Sequence, residues 1–85
     1  MVIEIEDVDK MLTDYGFELS TWYGRFTKDG CDYYVYRCEV RGCLDICTNC
    51  HEFMSDILFF ADYQDIEELT SAFEKLLQQF LMELL

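Results

Sequence analysis

The chain contains no proline, four glycines, one histidine and one tryptophan in 85 residues. Without proline there is no proline-marked linker, and no repeat or low-complexity run divides the sequence. A single domain is therefore expected over residues 1–85, near the lower size limit for a chain that folds unaided. The few glycines form no phosphate-cradling loop, and no Walker-type lysine accompanies them. No stretch of about 18 uncharged apolar residues is present, which excludes a membrane-spanning helix. The first residues lack a basic region followed by an apolar stretch, so no secretory signal is expected. Basic residues are also scarce, at six against 18 acidic ones, for a formal net charge of −12.

That charge is unevenly placed. Residues 1–20 carry six acids against one base, and residues 51–85 carry eight against one. The intervening thirty residues carry four of each. Two acidic ends thus flank a neutral middle rich in tyrosine. A field of this sign repels nucleic acid and anionic membrane and speeds encounter with basic surfaces. Disordered chains combine high charge with few aromatics. Here seven Phe, six Tyr and one Trp accompany a hydrophobic content of 52%, so a packed core is expected.

The apolar residues Val8, Met11, Leu12 and Tyr15 are spaced three and four apart and predict a helix over about 5–15. Asp7 and Asp9 suit its N-terminus, and Gly16 its C-terminal stop. Residues 17–26 read as a strand, followed by a Thr27-Lys28-Asp29-Gly30 turn. Residues 31–40 form the clearest strand, Arg41-Gly42 a two-residue turn, and 43–49 a third strand. The segment 51–61 reads equally as strand, loop or helix, with Ile57-Leu58-Phe59-Phe60 as a candidate fourth strand. From Ile66 to Leu84 an apolar stripe of three- and four-residue spacings predicts a long helix. Asp62 and Asp65 suggest its N-cap. The expected fold is α+β in two layers. It has an N-terminal helix, an antiparallel meander of three strands (four if 57–60 adds one), and a long C-terminal helix packed on one sheet face.

Pairing Phe26 with Cys31 and Val40 with Cys43 sorts the strand residues by face. One face collects Trp22, Phe26, Tyr33, Val35, Leu44 and Ile46 and is assigned to the helices. The other collects Leu19, Tyr23, Tyr34, Tyr36, Cys38, Val40, Cys43 and Cys47. Tyrosine joins a large apolar ring to a polar tip and is enriched in interfaces.

No catalytic constellation emerges. His51 is the single histidine, and carboxylate pairs are too numerous to inform. Five cysteines with no signal peptide point to a reducing cytoplasm, where free thiols are the rule. Cys38, Cys43, Cys47, Cys50 and His51 are the candidates for a zinc site, but their spacing fits neither ribbon nor finger. Neither metal nor cofactor is expected. Cys47-Thr48-Asn49-Cys50 has the Cys-x-x-Cys spacing of redox dithiols but lacks the helix that normally follows.

The acids Glu4, Glu6, Asp7, Asp9 and Asp14, with Asp62, Asp65, Glu67 and Glu68, suit either solvated helix faces or a phosphate-like array. The charge exceeds the magnitude of about 2–8 that suffices for solubility in a small domain. The expected function is accordingly a small acidic protein-binding inhibitor that mimics nucleic acid. It would occlude the nucleic-acid-binding surface of a basic protein, with those nine acids and Tyr34 and Tyr36 as contacts. In size and charge, though in no motif, the chain is similar to phage anti-CRISPR proteins, other phage host-takeover proteins and immunity proteins against toxin nucleases. The helix–strands–helix order also resembles the outline of the double-stranded-RNA-binding fold, whose basic phosphate contacts this chain lacks. Two alternatives stand beside this expectation. One is a homodimeric assembly module using the apolar Phe80-Leu81-Met82-Glu83-Leu84-Leu85 end. The other is a cysteine-based zinc protein.

Overall fold

A computed structural model of the chain describes residues 3–20, 24–48 and 57–83. These residues form an α+β fold with helix α1 (Ile5–Asp14) before the sheet and helix α2 (Ile66–Glu83) after it. Between them lie strands β1 (Glu18–Leu19), β2 (Arg25–Thr27), β3 (Tyr33–Cys38), β4 (Cys43–Thr48) and β5 (Leu58–Phe59). A short 3-10 turn over Phe60–Asp62 leads into α2. The strands pair antiparallel in sequence order, β1-β2-β3-β4-β5. The expected meander is present: β5 is the candidate fourth strand of 57–60, and the expected first strand is divided into β1 and β2.

α1 forms where the spacing predicts it and buries Val8, Met11 and Leu12. Its end is a Schellman motif: the Gly16 N–H donates to the Thr13 carbonyl and the Phe17 N–H to that of Leu12. This closure drives the Phe17 ring into the core, where it is fully buried. α2 contributes Leu69, Phe73 and Phe80, all fully buried, on the expected stripe. The Asp65 carboxylate caps α2 by accepting the Glu68 N–H at 2.9 Å, while Asp62 lies outside in the 3-10 turn. The Gln64 N–H in turn meets the Glu68 carboxylate at 3.5 Å. Asp65 with Glu68 three residues on is thus the working pair, rather than Asp62 with Asp65.

The core lies between this helical layer and one sheet face. Phe26, Tyr33, Val35, Leu44, Ile46 and Leu58 meet the helix residues there. Tyr33 sits edge-on between Phe17 and Phe80, with ring centroids 6.1 and 5.0 Å away. Truncating one such ring in a close-packed interior costs about 3–5 kcal/mol.

Three strand expectations are corrected. Residues 17–26 do not form one strand: the chain leaves β1, turns, and re-enters as β2 through Gly24, with the Ser20 N–H bonded to the Arg25 carbonyl. Phe26 pairs with Val35 rather than Cys31, and Cys43 with Cys38 rather than Val40. Both turns are longer than expected, over residues 28–32 and 39–42, and each is closed by its own backbone bond: the Cys31 N–H donates to the Lys28 carbonyl and the Gly42 N–H to that of Cys38. Both shifts are even-numbered, so residues 26, 33, 35, 44 and 46 still face the helices. Val40 stands in the β3–β4 turn and is 97% exposed. Leu19 pairs with Phe26 at the sheet edge and is exposed, not part of a tyrosine face. The expectations for Trp22, Tyr23, Cys50, His51 and Leu84, and for the strand, loop or helix character of 51–56, lie outside the described residues.

Candidate functional site

α1 turns its polar face outward because its apolar residues face the sheet. Glu4, Glu6, Asp7 and Asp14 are exposed. Asp62, Glu67 and Glu68 are exposed beside the N-terminus of α2. Glu6 and Asp7 occupy the first turn of α1, and Glu67 and Glu68 that of α2. Carboxylates there face the unbonded N–H groups and positive end of each helix, so they also stabilise the helices. Asp65 is half-buried and held by its capping bond.

A groove separates the helices, lined by Asp7, Lys10, Met11, Asp14 and Tyr15 of the α1 side and Ile66 and Thr70 of α2. The Tyr15 hydroxyl crosses to the Glu74 carboxylate at 3.2 Å, and its ring meets Phe73 edge-on at 5.6 Å. Burial, with Glu74 nearby, raises the pKa of that hydroxyl. The groove thus combines apolar surface from Met11, Tyr15 and Ile66 with two carboxylates and one ammonium.

Asp9 is placed differently from the other acids. Its carboxylate receives two bonds from Arg37, at 2.8 Å from Nε and 3.0 Å from Nη2. Arg37 also lies 5.5 Å from the Phe26 ring centre and 3.9 Å from Glu39. The fork-to-carboxylate geometry commits Asp9 to tying α1 onto β3. Sequence reasoning missed this pair, because 28 residues separate the partners.

The opposite sheet face has another character. Arg25 stacks on Tyr34, 3.9 Å from its ring centre. Tyr34 is half-buried beside Cys47, opposite it in register, and burial raises both their pKa values. Tyr36 is 38% exposed. Since Tyr33 and Val35 face the helices, Tyr34 and Tyr36 face away from them. The structure therefore gathers the helix acids on one side of the sheet and the two tyrosines on the other. One flat partner surface cannot touch both sets.

Among the candidate zinc ligands, Cys38 and Cys43 lie directly opposite each other, not diagonally as the expected register had them. Cys47 sits farther along β4 against Asp45, at 3.9 Å. Among the described residues no three His, Cys, Asp or Glu side chains converge to hold a metal ion. Nor, among them, is any helix long and apolar enough to cross a membrane. No family model, curated protein or solved structure matches the chain.

Proposed function

We propose that the chain is a small acidic protein-binding module that acts stoichiometrically, without catalysis, on a basic protein in the cytoplasm. In its most concrete form it is an inhibitor occluding the nucleic-acid-binding surface of its target, comparable in charge logic to phage anti-CRISPR and nuclease-immunity proteins. The supporting observation is the grouping of exposed acids on the helical side of the sheet, on a chain of net charge −12. Glu6, Asp7, Asp14, Glu67 and Glu68 supply the charge. The α1–α2 groove supplies a place for an arginine or lysine stem over Met11 and Ile66. Desolvated contacts carry affinity, and surrounding charges set encounter rate and specificity.

The test is capture of partners on immobilised protein at low and high salt, followed by competition with nucleic acid for the captured partner. A basic nucleic-acid-binding protein, released by salt and displaced by nucleic acid, is the expected result. Neutralising Glu6, Asp7, Glu67 and Glu68 together to Gln or Asn should abolish capture while the circular-dichroism spectrum still shows a folded α+β chain, of somewhat lower thermal stability because the helix N-termini lose their charges. Capture that is indifferent to salt and to these substitutions would sink the charge-mimic reading. A second reading, self-association through the end of α2, draws on the exposure of Leu81 and Met82, at 41% and 73%. It predicts a mass that rises with protein concentration and is insensitive to salt.

A further inference from the structure

The β3–β4 hairpin sets Cys38 and Cys43 directly opposite one another at its turn end. Opposed residues of an antiparallel pair have Cα atoms about 4.5–5.5 Å apart, with side chains on the same face. That separation lies within the roughly 4.4–6.8 Å spanned by disulfides. Both thiols are free, and they contact each other.

Their surroundings differ in a way that assigns each a role. Cys38 is half-exposed beside the turn. The Arg41 backbone N–H donates to its sulfur, with the Tyr36 hydroxyl and the Arg41 charge adding to the effect, and together these lower its pKa. Cys43 is buried, and burial pushes its thiol up. An accessible, thiolate-favouring sulfur touching a sheltered second thiol is the arrangement of an attacking and a resolving cysteine. Cys47, by contrast, faces Tyr34 across the same strands.

We propose that Cys38 and Cys43 are a thiol–disulfide exchange pair that a low-molecular-weight disulfide such as oxidised glutathione converts to a cross-strand bridge. The Cys38 thiolate attacks one glutathione sulfur, the glutathione S–S bond breaks, and one glutathione thiolate leaves. Cys43 loses its proton and attacks the Cys38 sulfur of the mixed disulfide, expelling the second glutathione thiolate. The two protons released by the protein thiols end on the two glutathiones. Two electrons pass from the protein to the reagent. The bridge closes the turn whose Gly42 carbonyl accepts the Phe60 N–H at 2.8 Å, so oxidation acts on the anchor of β5. This inference is independent of the partner-binding reading.

The experiment treats the reduced full chain with oxidised glutathione and follows intact mass and peptide maps. Tryptic cleavage after Arg37 and Arg41 separates Cys38 from a peptide carrying Cys43, Cys47 and Cys50, and fragment-ion sequencing of the linked pair identifies the bonded sulfur. The expected product has lost two hydrogens, links the Cys38 and Cys43 peptides, and reverts with dithiothreitol. Cys43→Ser should halt at a glutathione adduct on Cys38. Should that variant fail to fold, Cys47→Ser must still form the same bridge. Retention of all thiols, a bridge or adduct formed first at Cys31, Cys47 or Cys50, or loss of the bridge in Cys47→Ser would overturn the proposal.

Discussion

Gly24 has φ +77°, and a Cβ built on it would run into the Arg37 backbone carbonyl. The Arg37 N–H donates to the Gly24 carbonyl at 2.8 Å, so neither backbone can retreat cheaply. Gly24→Ala should cost about 2–4 kcal/mol in urea-unfolding free energy. Gly30 has the same φ with no atom within 4 Å of the added Cβ. Gly30→Ala should therefore cost only the left-handed strain, about 1–2 kcal/mol. Equal losses would show that the Arg37 contact contributes nothing. The Asp9–Arg37 pair makes a second residue-scale prediction. Arg37 is 11% exposed and Asp9 34%, between the weak surface and the costly buried regimes. With the water around Asp9 taken into account, a double-mutant cycle with Asp9→Asn and Arg37→Met should return a coupling of about 1 kcal/mol.

At the scale of elements, α2 depends on a cap as well as on its buried stripe. Asp65→Ala removes the acceptor of the Glu68 N–H and should cost about 1 kcal/mol, with Asp62→Ala near zero. Thermal unfolding of the two variants checks the order. The stripes of both helices were legible because 3.6-residue periodicity is written locally. So were the two sheet faces, because period two survives an even slip of register. The partners Phe26–Val35 and Cys38–Cys43 were not legible. A turn's length depends on which alignment buries Tyr33 between Phe17 and Phe80, and those rings come from residues far apart in the chain. The break between β1 and β2 was hidden for a similar reason. Gly24 marks it, but β-branched and aromatic neighbours made the run read as continuous.

For the whole molecule, Tyr33 supplies a pH prediction. Burial, and then its contact with Cys31, raises its pKa from 10.0 to about 12. The unfolded chain therefore releases this proton first as pH rises. Stability from the neutral phenol is fully present below pH 10 and is lost as pH climbs through 12. Urea midpoints should fall steeply across that window, and Tyr33→Phe should flatten the fall. An unchanged slope in Tyr33→Phe would assign alkaline unfolding to other groups. Also at this scale, the helix acids and the sheet tyrosines occupy opposite sides of one layer. On the proposed reading, substituting the helix acids should weaken binding of a basic protein while Tyr36→Ala leaves it unchanged, as titration of each variant with the captured protein would show.

The sequence by itself determined the α+β class, the helix stripes, the sign of the charge and the alternation of the strands. Each follows from composition or from a period shorter than one element. The tertiary structure decided the strand register and brought α1 and α2 together as the walls of one groove. It also committed Asp9 to Arg37 and opposed Cys38 to Cys43. It divided one set of expected contacts, nine acids and two tyrosines, between two faces. These outcomes depend on which distant rings fill the core, and close packing settles that only when all the elements meet.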